Sequence, residues 1–144
     1  MTERKLGEQS IGAVIAYSQP HSFHKQFVLL KSPRGDWNFV KGHKERQETD
    51  YDTLKREISE ETGITSIRIL NYLGKIKYKI MKEGFPVQKE VKFYYAVTND
   101  NQVVLSDEHI DYVWAYYEQA RKLLTFHQSK LILDSITKYG LLYD

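Results

Sequence analysis

The segment Arg56–Glu61 reads Arg-Glu-Ile-Ser-Glu-Glu, so Glu57, Glu60 and Glu61 stand at spacings of i, i+3 and i+4. On a helix those spacings put all three carboxylates on one face. Unpaired, they repel one another. Around a hard divalent cation, which takes oxygen ligands and keeps several waters, the same three become favourable. The loop just before them supplies Lys41, His43, Lys44 and Arg46 for anionic oxygens. A cation beside basic side chains, with a carboxylate able to take a proton from water, suits phosphoryl chemistry. A solvated acidic helix face has the same local pattern, and the short segment alone does not separate the two readings.

The elements that must position these residues are legible around them. Thr49 has the character of an N-cap, with Asp52 at the third helical position in a capping-box role. Gly63 stands where a helix-ending glycine belongs. The predicted helix is therefore Asp50 to Thr62, with Leu54, Ile58 and Tyr51 on a stripe that packs on a sheet and Arg56 pointing elsewhere. Ile11–Tyr17 and Gln26–Lys31 read as strands, and Ser32–Asp36 as a turn. From Lys75 the chain alternates, with Ile76, Tyr78 and Ile80 on one face and Lys75, Lys77 and Lys79 on the other. Glu83–Pro86 reads as a turn, Val91–Thr98 as the returning strand, and Tyr112–Tyr117 as a shorter one. Helices are expected over Tyr117–Leu124 and Gln128–Gly140. Strands interspersed with helices predict an α/β layered domain with a mixed sheet. No repeat, low-complexity tract or linker divides the chain, so residues 1–144 are expected to form a single domain. The lysines at 75, 77, 79 and 82 could set phosphates beside the acidic helix; two separately solvated faces is the plainer reading.

The longer pattern settles how the carboxylates are read. Gly42, Glu48, Arg56, Glu57, Ile58, Glu60, Glu61, Gly63 and Ile64 fill every defined position of the Nudix hydrolase signature. The chain is thus similar to that family. The resemblance implies an α/β/α sandwich and Mg²⁺- or Mn²⁺-dependent hydrolysis of a nucleoside diphosphate linked to another moiety. Carried over by position, Glu57, Glu60 and Glu61 bind metal, the Gly42 carbonyl is a further ligand, and Glu57 is a candidate base. Glu48 and Arg56 pair to fix the loop against the helix.

Outside the signature, Trp37 before Lys41-Gly42-His43, and Ser106, Glu108, His109, Tyr112 and Trp114, resemble the asymmetrical diadenosine tetraphosphate hydrolases. That resemblance makes Glu108 a further metal ligand or alternative base. It makes Lys41, His43 and His109 phosphate contacts, and Phe126 fits it as well. His109 reads equally as a packing or capping residue, and Tyr112 and Trp114 as core aromatics. The chain departs from the subfamily at Phe39–Val40, where prolines are usual, and at Arg46–Gln47, where Pro-Gly is usual. The base-stacking tyrosine of the subfamily falls on Met81. Tyr78 is the nearest aromatic, with Phe93, Tyr95 and Phe126 as other stacking candidates. The expected reaction is cleavage of a dinucleoside tetraphosphate to NTP and NMP. Other substrates within the family are a (d)NTP, an RNA 5′-triphosphate or cap, and a diphosphoinositol polyphosphate. A non-catalytic nucleotide-binding regulator is the reading from another class, against which the complete carboxylate set argues.

Composition bounds the rest. With 144 residues, 41% hydrophobic and 13% aromatic, the chain is of globular type. It has no cysteine, which excludes disulfides, Cys–Zn sites and thiol catalysis and fits a cytoplasmic protein. The first residues, Met1–Ser10, lack the apolar stretch of a secretion signal, and no run is long enough to span a bilayer. A net charge of +2, from 21 basic and 19 acidic residues, gives no general affinity for DNA. Oligomeric state has no sequence signal.

Overall fold

The computed structural model describes residues 8–19 and 24–140; the segment before Glu8, part of the stretch examined for a leader, lies outside them. The elements run β1 (Glu8–Ser18), β2 (Lys25–Lys31), β3 (Trp37–Asn38), β4 (Val40–His43), α1 (Asp50–Thr62), β5 (Ile67–Lys82), β6 (Phe85–Thr98), β7 (Asp111–Tyr116), α2 (Tyr117–Leu123) and α3 (His127–Lys138). One sheet is ordered β3-β2-β1-β6-β5, with β4 paired to β1 and β7 to β2. The β1–β6 pairing is parallel and the others are antiparallel, so the sheet is mixed. No helix among the described residues is long and apolar enough to cross a membrane.

Two apolar layers flank the sheet, because the inward and outward residues of its central strands are both apolar. Leu54 and Ile58 of α1 close one layer over Ile11, Ala13, Ile15, Val28 and Ala96. Ala120 and Leu124 with Ile132, Leu133 and Ile136 close the other over Val14, Phe27, Leu29, Phe93 and Tyr95. Helices on both faces make the expected α/β/α sandwich.

The helix that carries the glutamates is fixed at both ends. Asp52 N–H donates to Thr49 Oγ1 and Thr49 N–H to Asp52 Oδ2, each at 3.0 Å, a reciprocal capping box. Gly63, at φ 78°, ends it in the left-handed conformation with its N–H on the Ser59 carbonyl. Tyr51 departs from expectation: it is about half exposed, and its ring stands edge-on to Tyr94 instead of joining Leu54 and Ile58 in the core. The β5–β6 hairpin turns at Glu83–Gly84, both with positive φ, as a mirror-image two-residue turn requires. Pro86, expected in that turn, already lies in β6 opposite Met81.

Candidate active site

The site forms where β4 meets the N-terminal loop and outer face of α1. Arg56 organises it. Its Nε donates to Glu48 Oε2 at 2.7 Å, its Nη2 to Glu48 Oε1 and the His43 carbonyl, both at 3.0 Å, and its Nη1 to Glu57 Oε2 at 2.8 Å. The same nitrogen approaches Glu60 at 3.5 Å and Glu45 at 3.7 Å. This corrects the expectation that Arg56 points away from the carboxylates. A helical position one step from Glu57 leaves the Cβ off the acidic face, but the long guanidinium arm reaches back across it. Glu48 also accepts from the Glu45 amide and the Thr53 hydroxyl, so the loop before the helix is held by one carboxylate.

Hydrogen bonds from Arg56 and the Glu45 backbone hold the Glu48 carboxyl down at about 2, against an ordinary 4.5. A carboxyl depressed in the folded state contributes its full stabilisation above its unfolded value and loses it as pH falls toward the folded one. Stability should therefore drop as pH falls from 4.5 toward about 2. In Arg56→Ala that acid-side slope should flatten, because Glu48 then titrates near its ordinary value. Urea unfolding across this window measures both. An unchanged slope in the variant would remove Arg56 as the cause.

The loop turns through an unusual backbone conformation at Gln47. Gln47 has φ 69°, in the left-handed region that favours glycine. The loop therefore carries a strained glutamine just ahead of Glu48.

Gly42 is the tightest point. A Cβ built on it would fall on the Glu57 carboxylate, so any larger residue here must displace the end of that side chain. Below lies Glu61, only 4% exposed, with Oε1 lacking any hydrogen-bond partner. Burial, followed by the Glu57 and Glu108 carboxylates, pushes the Glu61 carboxyl up to about 9. A buried carboxylate among carboxylates, with an orphaned oxygen, is a site short of positive charge. Hard oxygen donors with no sulfur suit Mg²⁺ or Mn²⁺, so the residues fit the cation that the signature implies. Among the described residues no three acidic or histidine side chains already close on one point. Two of the three helical glutamates lie against Arg56 instead, Glu57 at 2.8 Å and Glu60 at 3.5 Å.

Two adjoining cavities meet here. The smaller, about 560 Å³, is lined by Glu57, Glu60, Glu61 and, from the β6–β7 loop, Ser106, Asp107 and Glu108. The larger, about 630 Å³, has walls from Phe39, Ile76, Tyr78, Val91, Phe93 and Phe126, with Asn38 and Ser129 among its polar groups. Lys41, Gly42, His43, Glu61 and Glu108 line both. The loop that brings Glu108 is tied down by Val104 N–H on the Thr62 carbonyl and Ile110 N–H on the Lys31 carbonyl. His109 faces the larger cavity with Nδ1 buried and unpaired; burial lowers its pKa, the Glu108 carboxylate opposes this and Lys41 reinforces it, and the net effect favours the neutral ring.

The predicted residues thus gather on one basin, with exceptions. Met81 is exposed near the hairpin tip, well away from it, whereas Tyr78 is in the wall. Tyr95 is buried in the core with its hydroxyl 3.0 Å from Lys25 Nζ, which excludes it as a stacking platform. Phe93 is fully buried against Phe39 and shows the cavity only part of its surface. Trp114 packs on the α1-side core and donates to the Asn101 carbonyl, and Tyr112 lies on β7 outside both cavities. Lys75, Lys77 and Lys79 do not line the basin either: alternation turns Ile76 and Tyr78 inward and the lysines to the opposite face. Lys89 does line it, 3.3 Å from His43 Nε2. Sequence reasoning missed Lys89, although its even spacing from Val91 and Phe93 put it on the same face of β6.

A mixed sheet between helices thus carries an acidic basin that opens into a basic and aromatic cavity. The chain belongs to the Nudix family: the NUDIX domain matches residues 10–134. Enzymes of this family act on phosphoric anhydride bonds, typically with divalent metal ions. The asymmetrical bis(5′-nucleosyl)-tetraphosphatase of Rattus norvegicus is 33% identical over 120 residues, covering 76% of each chain. The Ap4A hydrolase of C. elegans, solved as a binary complex, superposes with a TM-score of 0.76 at 26% identity, over 92% of this chain and 97% of that one. The MutT protein of Methanosarcina mazei, at 20% identity and TM-score 0.77 over 96% of this chain and 99% of that one, shares the fold.

Proposed function

We propose that this Nudix hydrolase cleaves dinucleoside tetraphosphates to NTP and NMP with Mg²⁺ or Mn²⁺. The observation that carries the reading is the junction of the two cavities at Lys41–His43: an acidic basin for the scissile phosphates continues into a space of about 630 Å³ walled by Tyr78 and Phe126. That volume lies in the range of small-ligand sites. The similarity to tetraphosphatases in both sequence and structure supports the same substrate class.

In this reading Glu57, Glu60, Glu61, Glu108 and the Gly42 carbonyl hold the cation. Such a cation neutralises phosphate charge and acidifies water. Water attacks one phosphorus, the bridging P–O bond breaks, and the shorter and longer phosphate chains separate. Glu57 or Glu108 takes the proton of the attacking water; the larger kcat loss between Glu57→Gln and Glu108→Gln identifies which. Lys41, His43 and Lys89 meet the non-bridging oxygens, and neutral His109 donates to one of them. Glu48 and Arg56 keep the loop on the helix and touch no substrate.

The base stacks on Tyr78 or Phe126. Phe126 is 46% exposed, so its removal costs little stability. Phe126→Ala should raise KM for diadenosine tetraphosphate about fivefold or more, the value of one stacked base, with kcat little changed. An unaltered KM would exclude Phe126 from the base site. The reading as a whole is tested by comparing kcat/KM across diadenosine tetraphosphate, a dNTP, an RNA 5′-triphosphate and a diphosphoinositol polyphosphate. The tetraphosphate should lead. A preference for any other member of the panel would move the substrate elsewhere in the family.

A further inference from the structure

We propose that the α1-side face of the β5–β6 hairpin binds a single-stranded polynucleotide. Lys75, Lys77 and Lys79 are exposed on this face, pointing away from the cavity. Lys92 stands directly across from Lys75 in the β5–β6 register. Like charges directly opposite on a sheet destabilise it. The protein compensates only in part. Glu90 lies 3.0 Å from Lys75, and Asp50 lies 3.0 Å from Lys44 and 3.8 Å from Lys92. Five lysines therefore share two carboxylates, and Lys77 and Lys79 form no ion pair among the described residues. The overall charge of +2 conceals this local excess.

Aromatic rings continue the same row. Tyr72 pairs across the strands with Tyr94, ring centroids 5.4 Å apart, and Tyr51 of α1 meets Tyr94 at 5.9 Å. Tyr94 is fixed by its hydroxyl, which donates to Asp50 Oδ2 at 2.5 Å. Tyr72 is 47% exposed and Tyr51 49%. From Tyr72 to Lys79 the strand runs about 23 Å. Exposed rings held in line with a row of cations match the bases and phosphates of an extended single strand, since every base offers a face for stacking and every linkage a charge. Neither an anionic membrane nor an acidic peptide calls for rings set in line with a row of cations, as the successive bases and phosphates of a strand do.

This inference does not rest on the tetraphosphate reading, and its test avoids the cavity. The probes are fluorescent ten-nucleotide RNA and DNA strands with 5′-hydroxyl ends, followed by anisotropy. At least one should bind at low salt, with log affinity falling linearly in log salt at about 0.7 per phosphate contacted. Lys77→Glu with Lys79→Glu should weaken binding at least tenfold, and Lys77→Arg with Lys79→Arg should retain it. Tyr51→Ala with Tyr72→Ala should weaken it about fivefold or more. Metal-dependent anhydride hydrolysis should be unchanged in each, which also reports a folded chain; Lys77→Gln with Lys79→Gln replaces the glutamate pair if that variant does not fold. No binding of either strand at low salt, or binding indifferent to the lysine or the tyrosine substitutions, would overturn the proposal. So would tighter binding to phosphatidylserine vesicles that depends on the lysines alone.

Discussion

Glu57→Gln should lower metal-dependent turnover roughly 10²- to 10⁴-fold, the range that a positioned proton acceptor contributes. Glu57 meets both demands of the proposed reaction. It lines the acidic cavity, where one of its oxygens accepts from Arg56 Nη1 at 2.8 Å and its carboxylate neighbours that of Glu61. Glutamine keeps the shape and the bond to a neighbour but not the charge. Near-neutral effects on folding are expected, because the largely buried Glu57 side chain lies outside both apolar layers and glutamine keeps its volume. Circular dichroism and urea unfolding check this alongside kinetics. Turnover within a factor of a few of the parent, at saturating Mg²⁺, would remove Glu57 from the chemistry.

Gly42→Ala should be as damaging for a different reason. The added methyl occupies the place of the Glu57 carboxylate, well inside van der Waals contact. Either Glu57 swings out or β4 retreats from α1. Because the clash is with the far end of a flexible side chain, swinging Glu57 out relieves it at modest cost in stability. Displacing catalytic groups by about 1 Å can cost on the order of 100-fold in rate. The expected result is a modestly destabilised protein with turnover lowered about 100-fold or more, and with weakened Mg²⁺ dependence. Gly42→Ala with full activity would mean that the close approach of β4 to Glu57 has no part in the reaction.

Much of this was readable before any coordinates, and the reasons are local. The limits of α1 follow from Thr49, Asp52 and Gly63, because caps are made by neighbours in sequence. The Glu48–Arg56 pair follows from the family signature, and the ion pair at 2.7 Å is present. What escaped was set by reach and by tertiary packing. Arg56 was expected to point elsewhere, because the helical wheel describes Cβ directions and not where a guanidinium ends. For the lysines of β5 the plainer reading, a separately solvated face, is the one that agrees with their absence from both cavities; the alternative beside the phosphates stayed open because alternation separates two faces without saying which one carries the cavity. The parallel pairing of β1 with β6 decides that, and it joins residues far apart in the chain: Ser10 sits beside Val91, two residues from Lys89. Tyr95 and Phe93 shared an aromatic cluster in the sequence, and only the packing of α2 and α3 over the sheet buried them.

The gap at Met81 resolves in the same way. Position along the sequence put Met81 where the subfamily has its tyrosine, but this chain's hairpin carries Met81 out to the exposed end opposite Pro86. Tyr78, three residues earlier, is paired with Lys89, and both side chains line the cavity. The register of β5 against β6, rather than distance from the signature, places Tyr78 in the cavity wall.

The most direct test is the product pattern from diadenosine tetraphosphate incubated with the protein and Mg²⁺, separated by ion-exchange chromatography. The account predicts ATP and AMP in equal amounts, formed only with the divalent cation and suppressed in Glu57→Gln. Two molecules of ADP, or no metal-dependent cleavage at all, would contradict it.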